Sequence, residues 1–401
     1  MGAPRSTTST TFPWAGLLTL SALIFTSVTS EFLPTGLLPD IAAELRVSES
    51  QVGLLVTVFA GTVVLSAAPL SVLTRRYSRK SLVIVVLMVF AIANVLAALA
   101  PTYEMLVGAR VIGGLAHGLF WAVVGAYSAH LVPKHQLGRA IAITGGGGTA
   151  AFVLGVPLGT AIGHAVGWRL AFAIIAAIIV ILTLVTAKLL PAVSHGVVLS
   201  TGEIPIPMRK DRTVPAVIAV GLILILVALG HNLFYTYIAP YLIGPVGIDS
   251  GSIAGVLLLY GVAGALGLVL AGTLGDRFPQ STLIGSVALV MVAVLVIGTF
   301  ASITPVALVA IFVWGMAFGA LPSLMQARMM HTASLRVRDA AAAYFTTSFN
   351  VAIGGGALLG GVLLDGWGIG VLPFVDVTIT VVGLAMIIVV AVWLRRGRPV
   401  G

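Results

Sequence analysis

The sequence contains no cysteine and few charged residues, because only 8% of its 401 residues are Asp, Glu, Lys or Arg. The lack of cysteine excludes disulfide bonds and thiolate metal sites. A soluble domain carries roughly 25% charged residues, so this chain cannot cover a surface that faces water. Instead, 59% of the residues are hydrophobic and the mean hydropathy is +1.15. This composition excludes a soluble enzyme and indicates an integral membrane protein.

Twelve hydrophobic stretches are long enough to cross a bilayer, which takes about 20 residues. They cover approximately residues 14–38, 51–74, 81–100, 105–130, 140–165, 170–190, 214–243, 251–274, 281–300, 305–329, 339–364 and 371–394. The first stretch is too long for a cleaved signal peptide and contains Glu31 and Pro34. The sequence therefore predicts an all-α polytopic membrane protein. Its predicted parts are an N-terminal six-helix bundle at 1–190, a connecting loop at 191–213 and a C-terminal six-helix bundle at 214–401.

The positions of the basic residues predict the orientation of the chain. Of the 21 Lys and Arg residues, 18 fall on the side that holds both termini and the even-numbered connections. Cytoplasmic loops of membrane proteins are enriched in Lys and Arg. We therefore expect a multi-pass protein of the cell membrane with both termini and the 191–213 loop in the cytoplasm. This topology accounts for the net charge of +9 without a nucleic-acid partner.

The two halves of the chain match each other at an offset of 201 residues. The matched positions are Leu73 with Leu274, Arg76 with Arg277, Gly155 with Gly356, Gly159 with Gly360, and Pro39 with Pro240. These separated matches indicate a duplicated six-helix unit. Parallel six-helix halves with a substrate site between them are typical of one large class of secondary transporters.

Short segments of the chain resemble motifs of the major facilitator superfamily. Gly272–Ser281 (GTLGDRFPQS) is similar to its loop signature G-x-L-x-D-R-x-G-R-K, and Ser71–Lys80 (SVLTRRYSRK) is the counterpart in the first half, with Arg75 in place of the aspartate. Arg110–Gly118 (RVIGGLAHG) resembles the arginine-glycine signature, and Gly155–Thr160 (GVPLGT) resembles the glycine-proline signature of exporters. Ser30–Pro39 (SEFLPTGLLP) resembles the twelve-helix drug:proton antiporter family, above all its chloramphenicol-resistance and sugar (arabinose-type) efflux branch.

This resemblance implies the major facilitator fold and transport by alternating access. The leading hypothesis is a proton-coupled antiporter that exports a small drug-like or sugar-like compound. Its expected partners are a small-molecule substrate, protons and membrane lipids; no cofactor and no metal is expected, and we expect a monomer. Two alternatives stay open: proton-coupled uptake of a small solute, and a non-transporting membrane sensor or lipid scramblase. The sequence has no nucleophile–base pair or cofactor fingerprint that would indicate an enzyme.

Glu31 and Arg110 are charged residues inside predicted spans of the first half. A charged side chain in a bilayer is costly and marks a functional site by default. We predict that Glu31 gains and loses the coupled proton and that Arg110 biases this change; in the superfamily, the matching arginine helps to hold the central cavity and to couple protons. Two alternatives stay open: Glu31 could reach the lipid–water interface, and Arg110 could serve only to bind carbonyl groups of a neighbouring helix.

Six further polar or aromatic residues are candidates for the substrate cavity: His117, Trp121, His231, Asn232, Tyr235 and Asn350. His117 and Trp121 follow Arg110 on one face of span 4, and a neutral, structural role for His117 is equally open. Asn232 matches Glu31 at the repeat offset. Tyr237 is either part of this cluster or an anchor at the membrane interface. Asp376, about five residues into span 12, is a weaker candidate that we expect to meet water.

The remaining candidates are structural. Arg76, Asp276 and Arg277 lie in the two matching loops and are predicted gate residues, with unequal gates because Arg75 replaces the first-half carboxylate. Small residues at four-residue spacing allow helices to pack closely. The predicted helix-packing residues are Gly155, Pro157, Gly159, Gly356 and Gly360.

Overall fold

The computed structural model describes residues 12–74, 76–191 and 211–396. Twelve helices in these ranges are long and apolar enough to cross a membrane, which confirms the predicted all-α membrane fold. We number them α1 (Trp14–Gly36), α2 (Glu49–Leu73), α3 (Arg79–Ala98), α4 (Tyr103–Leu131), α5 (Leu137–Val166), α6 (Trp168–Leu189), α7 (Val214–Tyr235), α8 (Ile253–Arg277), α9 (Pro279–Thr299), α10 (Thr304–Thr332), α11 (Arg338–Trp367) and α12 (Leu372–Arg396).

The helices form two six-helix bundles, α1–α6 and α7–α12. The bundles meet where α2 packs against α11 and where α5 packs against α8. Twelve crossings place the start of α1 and the end of α12 at the same end of the molecule, which we call the termini end. We call the other end the distal end. Most of the predicted 191–213 loop and the outermost residues of the chain lie outside the described residues.

Helices α1 and α7 both end earlier than the hydrophobic pattern predicts. Helix α1 ends at Gly36, just short of the end of the predicted span 14–38, and a short helix Leu38–Leu45 follows it. The predicted span 214–243 is divided into α7 and a short helix, Ile238–Ile243. Pro39 and Pro240 lie in the first turn of the short helices, where a missing N–H is tolerated, whereas inside a continuous helix each would break a hydrogen bond. The break therefore recurs at matching positions of the two repeats.

Helix α5 contains a π-helical turn at Ala151–Gly155, just before Pro157. Such turns are rare and are often found at functional sites. Here the turn carries Phe152 to the contact with α8. A Cβ atom at Gly261 of α8 would collide with the backbone oxygen of Phe152, so glycine is required at this crossing of the two bundles.

The start of α7 is joined to the connection between α10 and α11 by Asp211. Its carboxylate accepts hydrogen bonds from the hydroxyl of Ser334 (2.6 Å) and from the backbone N–H of Thr213 (2.8 Å). These donors stabilise the ionised form, and the Ser334 hydroxyl contributes most to lowering the pKa of Asp211 to about 2.

The bundles are held together toward the distal end. The hydroxyl of Ser50 in α2 donates to the carboxylate of Asp365 in α11 at 2.7 Å. About two turns further along α2, the hydroxyl of Thr57 donates to the carbonyl of Gly354 at 2.9 Å. The structure is therefore closed between α2 and α11 at its distal end.

Candidate functional site

Glu31, Arg110 and His117 form a buried polar cluster inside the N-terminal bundle. Their exposed fractions are 4%, 3% and 2%. Helix α1 contributes Glu31, and α4 contributes Arg110 and His117 two turns apart on one face. The structure thus brings together the two predicted proton-coupling residues and the predicted cavity histidine.

Pro34 explains how Arg110 binds α1. Proline has no N–H, so the carbonyl of Ser30, four residues earlier, lacks its helical partner. The Arg110 guanidinium donates to this carbonyl at 3.0 Å and to the carbonyl of Glu31 at 2.8 Å. Its Cζ atom lies 4.1 Å from the ring centre of Phe59, a cation–π contact. Arg110 therefore makes the contacts of a carbonyl-binding arginine while its charge stays next to Glu31.

The carboxyl group of Glu31 points to His117 rather than to Arg110. Its Oε2 atom lies 3.4 Å from Nε2 of His117. No ion pair within 4.0 Å joins Glu31 to Arg110 among the described residues. Burial of a carboxylate that is not directly paired is costly, and the nearby charge of Arg110 offsets only part of this cost, so the neutral carboxylic acid fits this environment better than the anion.

Both ring nitrogens of His117 have polar neighbours. Nδ1 lies 2.8 Å from the hydroxyl of Ser27, and Nε2 accepts a hydrogen bond of 2.7 Å from the indole N–H of Trp121. An indole can only donate, so Nε2 carries a lone pair and the proton of the neutral ring is on Nδ1. The ring also packs edge-on against Phe59, with 5.1 Å between ring centres. The predicted cavity residues His117 and Trp121 are thus directly hydrogen-bonded to each other.

Asn94 is a member of this cluster that the sequence analysis missed. It is 2% exposed in α3 and accepts a hydrogen bond of 2.7 Å from the hydroxyl of Ser30. Its amide donates to the carbonyl of Phe90 in its own helix. A single asparagine within the apolar span 81–100 was the available signal.

The C-terminal bundle contains an aromatic cluster around His231. The ring of His231 is 5.2 Å from Tyr235 and 5.1 Å from Trp314 of α10, and Tyr235 is 5.1 Å from Tyr260 of α8. His231 and Tyr235 are buried. Among the described residues, the Nδ1 atom of His231 and the indole nitrogen of Trp314 are buried without a hydrogen-bond partner. The cluster therefore offers aromatic faces and free polar atoms side by side.

The other two predicted cavity residues bond to their own helices. Asn232 donates to the carbonyl of Ala228 at 2.7 Å, and Asn350 donates to the carbonyl of Thr346 at 3.0 Å. Asn350 keeps a buried side-chain oxygen without a partner. Neither residue contacts the Glu31 cluster through a hydrogen bond in the described part of the chain.

Three aromatic rings connect the two bundles between these clusters. The ring centre of Phe32 in α1 is 4.9 Å from that of Phe152 in α5. Tyr235 of α7 lies 6.4 Å from each of them. Phe32 directly follows Glu31, so a movement between the bundles at this contact would act on the backbone of the buried cluster.

One sequence-based expectation for the C-terminal bundle is wrong, and one of the alternatives left open there is excluded. Asp376 was expected to meet water, but it is fully buried, and one carboxylate oxygen accepts from Thr380 at 3.0 Å while the other has no partner. It packs against Gly230, where the absence of a side chain leaves space for the Asp376 carboxylate. Tyr237 is not an anchor at the membrane interface, since it is fully buried and its hydroxyl donates to the carbonyl of Ala357 at 2.8 Å.

The predicted gate residues form no ion pair with one another among the described residues. Arg76, Asp276 and Arg277 are exposed at the termini end. Arg76 contacts the ring of Tyr77, and Arg277 contacts that of Phe278. Within the described part of the chain, Asp276 makes no hydrogen bond or ion pair. The arrangement fits a state in which the gate at the termini end is not engaged.

The predicted packing glycines lie against the first helix of their own bundle. Side chains at Gly155 and Gly159 would overlap Thr29 and Leu33 of α1. Side chains at Gly356 and Gly360 would overlap the backbone of α7 at Leu229 and Leu233. Pro157 is buried in the same seam of α5, directly after the π-helical turn. The two bundles therefore repeat one close helix contact.

Twelve membrane-length helices in two repeated bundles define a multi-pass membrane protein built from two six-helix units. A family model described as Major Facilitator Superfamily matches residues 20–244 and 220–401. The chain belongs to the major facilitator superfamily, and it is a transporter of small molecules rather than an enzyme. Among the described residues, no group of three or more His, Asp or Glu could hold a metal ion.

Similar proteins agree with this assignment. The chain is 30% identical, over 92% of its length and 91% of the relative, to a protein of Mannheimia succiniciproducens described as a probable sugar efflux transporter. A solved bacterial homologue of the human lysosomal transporter Spinster, inward-facing and occupied, matches with a TM-score of 0.75 and 16% identity over 96% of this chain and 97% of that one. The nucleoside transporter NupG matches with a TM-score of 0.74 and 14% identity over 93% and 98%. These structural matches support the fold alone.

Proposed function

We propose that this protein is a proton-coupled antiporter that exports a sugar or a similar small polar compound. The observation that carries the proposal is the buried Glu31 carboxyl group, which lies between an arginine bound to carbonyls and a neutral histidine. A carboxyl group in this position can exist with or without its proton at moderate cost, since Arg110 supports the anion and burial supports the acid. The relative from Mannheimia succiniciproducens, described as a probable sugar efflux transporter, supports a sugar as the cargo.

The proposal assigns different tasks to the two bundles. Glu31 carries the proton, Arg110 holds α4 on α1 and biases the proton, and His117 and Trp121 shape the same wall. His231, Asn232, Tyr235 and Asn350 provide aromatic faces and polar atoms for the substrate. Aromatic rings can cover the apolar face of a sugar, while free polar atoms bond to its hydroxyl groups. We propose that the protein acts as a monomer in the cell membrane, surrounded by lipids, with both termini in the cytoplasm.

Transport in proteoliposomes tests the proposal, with L-arabinose as the probe. Wild-type protein should accumulate arabinose against its gradient when a pH difference is imposed. Glu31→Gln should abolish this accumulation but keep exchange down an arabinose gradient, since the amide cannot release a proton. Arg110→Ala should impair both, because the Ser30 carbonyl loses its donor and Glu31 loses the neighbouring charge.

Glu104→Gln is the matched control, because Glu104 is an exposed carboxylate in the first turn of α4. It should transport like wild type. Full pH-driven accumulation by Glu31→Gln would contradict the role of Glu31, and Asp376 would then be the next carboxylate to test. Accumulation of arabinose on the side toward which protons flow would indicate proton-coupled uptake instead of export.

A further inference from the structure

Trp121 and Glu31 compete for one atom of His117. The indole N–H of Trp121 donates to Nε2 at 2.7 Å, and Oε2 of Glu31 lies 3.4 Å from the same nitrogen. A neutral imidazole has a single lone pair on its unprotonated nitrogen. As long as the indole occupies this lone pair, Nε2 cannot fully accept a proton from Glu31.

The geometry points to Trp121 as a latch: we propose that its indole keeps the proton on Glu31, and that substrate binding displaces the indole and releases this proton through His117. This inference rests on the proposed antiport function and adds the residue that links substrate binding to proton release. Trp121 is a positioning residue in this scheme, since it acts through His117.

The release step conserves protons and delivers one of them to water. When the indole leaves, Glu31 transfers its proton to Nε2 of His117, and Nδ1 gives its own proton to the oxygen of Ser27. Ser27 passes its former hydroxyl proton to water. At the end, Glu31 is a carboxylate that accepts from Nε2–H, His117 is neutral in its other tautomer, and one proton has left. The 2.8 Å contact between Nδ1 and the Ser27 hydroxyl suits both directions of hydrogen bonding.

The positions of the residues give this relay a direction. Ser27 is four residues before Glu31 in α1, so it lies about 6 Å closer to the termini end. Trp121 is four residues after His117 in α4, which runs toward the termini end, and it is partly exposed while His117 is buried. A substrate that enters from the termini end meets Trp121 before it can reach His117 or Glu31.

Few other charges act on this cluster. Arg110 of α4 is the charged neighbour of both Glu31 and His117. The contacts from α2 and α3 come from Phe59, Phe90 and Asn94, which carry no charge. A change in the proton content of the pair is therefore balanced only by Arg110 and by the hydrogen bonds described above.

The pH dependence of binding to detergent-purified protein tests the latch. One proton released per bound substrate makes the Kd for L-arabinose fall about tenfold per pH unit as the pH rises. Trp121→Phe keeps an aromatic ring but has no N–H, so its Kd should change less than about twofold over the same unit. Trp367→Phe, in which a 72% exposed tryptophan is replaced, should retain the wild-type slope. An unchanged slope in Trp121→Phe would overturn the latch, whereas a flat wild-type slope would contradict proton coupling itself.

A second measurement needs no substrate. The fluorescence of Trp121, obtained as wild type minus Trp121→Phe, should change with pH, because loss of the Glu31 proton places a hydrogen on Nε2 and expels the indole. The same difference measured in a Glu31→Gln background should not change with pH. A Trp121 signal that ignores pH, or that changes equally without Glu31, would overturn the proposal even if L-arabinose is not the cargo.

Discussion

The hydroxyl of Tyr237 occupies the space that a side chain at Gly53 would fill. Tyr237 follows α7 and bonds to Ala357 of its own bundle, whereas Gly53 lies in α2 of the other bundle. The tyrosine therefore stays attached to the C-terminal bundle while its ring rests on the backbone of the N-terminal one. The distal end can close in this way only because residue 53 has no side chain.

Gly53→Ala should hold the distal end open. The added methyl group would overlap Tyr237, and overpacking of this kind costs about 1–3 kcal/mol, which the protein can avoid by separating α2 from α11. The measurement is oxidative cross-linking of Ser50→Cys with Asp365→Cys, in a chain that has no native cysteine. Gly61→Ala in the same helix is the control, since a Cβ there meets no atom within 4 Å. Equal cross-linking in the two variants would contradict the prediction.

Asp276→Asn should slow transport more than Arg75→Ala. A carboxylate at the end of α8 can bind the positive end of a neighbouring helix when the termini end closes, and Arg75 replaces this carboxylate in the first half. Asp276 is exposed and has no ion pair among the described residues, so the variant should leave the state seen here unchanged and disfavour the state in which the termini end is closed. Initial transport rates provide the measurement. Equally small effects of the two substitutions would rule out unequal gates.

A cysteine at Gly202 should react with an impermeant maleimide only after the cells are opened. Gly202 is in the predicted cytoplasmic loop, outside the described residues, and the prediction rests on the distribution of Lys and Arg. A cysteine at Gly366, near the distal end of α11, should react in intact cells because a side chain there meets no atom within 4 Å. Labelling of the cysteine at 202 but not the one at 366 in intact cells would show that the predicted topology is inverted.

Asp211→Asn should lower thermal stability at neutral pH, and this difference from wild type should vanish in acid. The pKa of Asp211 is lowered from 3.8 to about 2, so its contribution is complete above about pH 4 and is lost as the pH falls through 2. Thermal midpoints of both proteins between pH 6 and pH 2 provide the test. Asp339→Asn, at the start of α11, serves as control. A difference that stays constant down to pH 2 would be inconsistent with the Ser334 and Thr213 hydrogen bonds.

Much of the fold could be predicted because its signals are local. Each helix needs about 20 apolar residues, so composition alone locates the twelve crossings to within a few residues. The exceptions lie at the ends of α1 and α7: a short helix follows α1 directly, and hydrophobicity continues through Pro240 although α7 ends at Tyr235. The π-helical turn of α5 was not predicted, and neither was the contact with Gly261 of the other bundle to which it carries Phe152.

The site was predicted only as a set of residues. The cost of burying charge identifies Glu31 and Arg110 from the sequence, and their helical spacing adds His117 and Trp121. The sequence could not show that Arg110 binds carbonyl groups, that Asn94 joins the cluster or that Asp376 is buried. Each of these depends on which helix lies beside which, at distances where one rotamer decides the hydrogen bond.

The sequence by itself determined that this chain crosses a membrane twelve times as two related halves, because transfer into a bilayer depends on the apolar content of each segment. Only the tertiary structure decided how the buried groups are paired. In the absence of water, each polar atom must find a partner within the protein, and α1, α3 and α4 supply these partners from distant parts of the chain. Packing of these helices therefore placed Glu31 and Trp121 on the same nitrogen of His117.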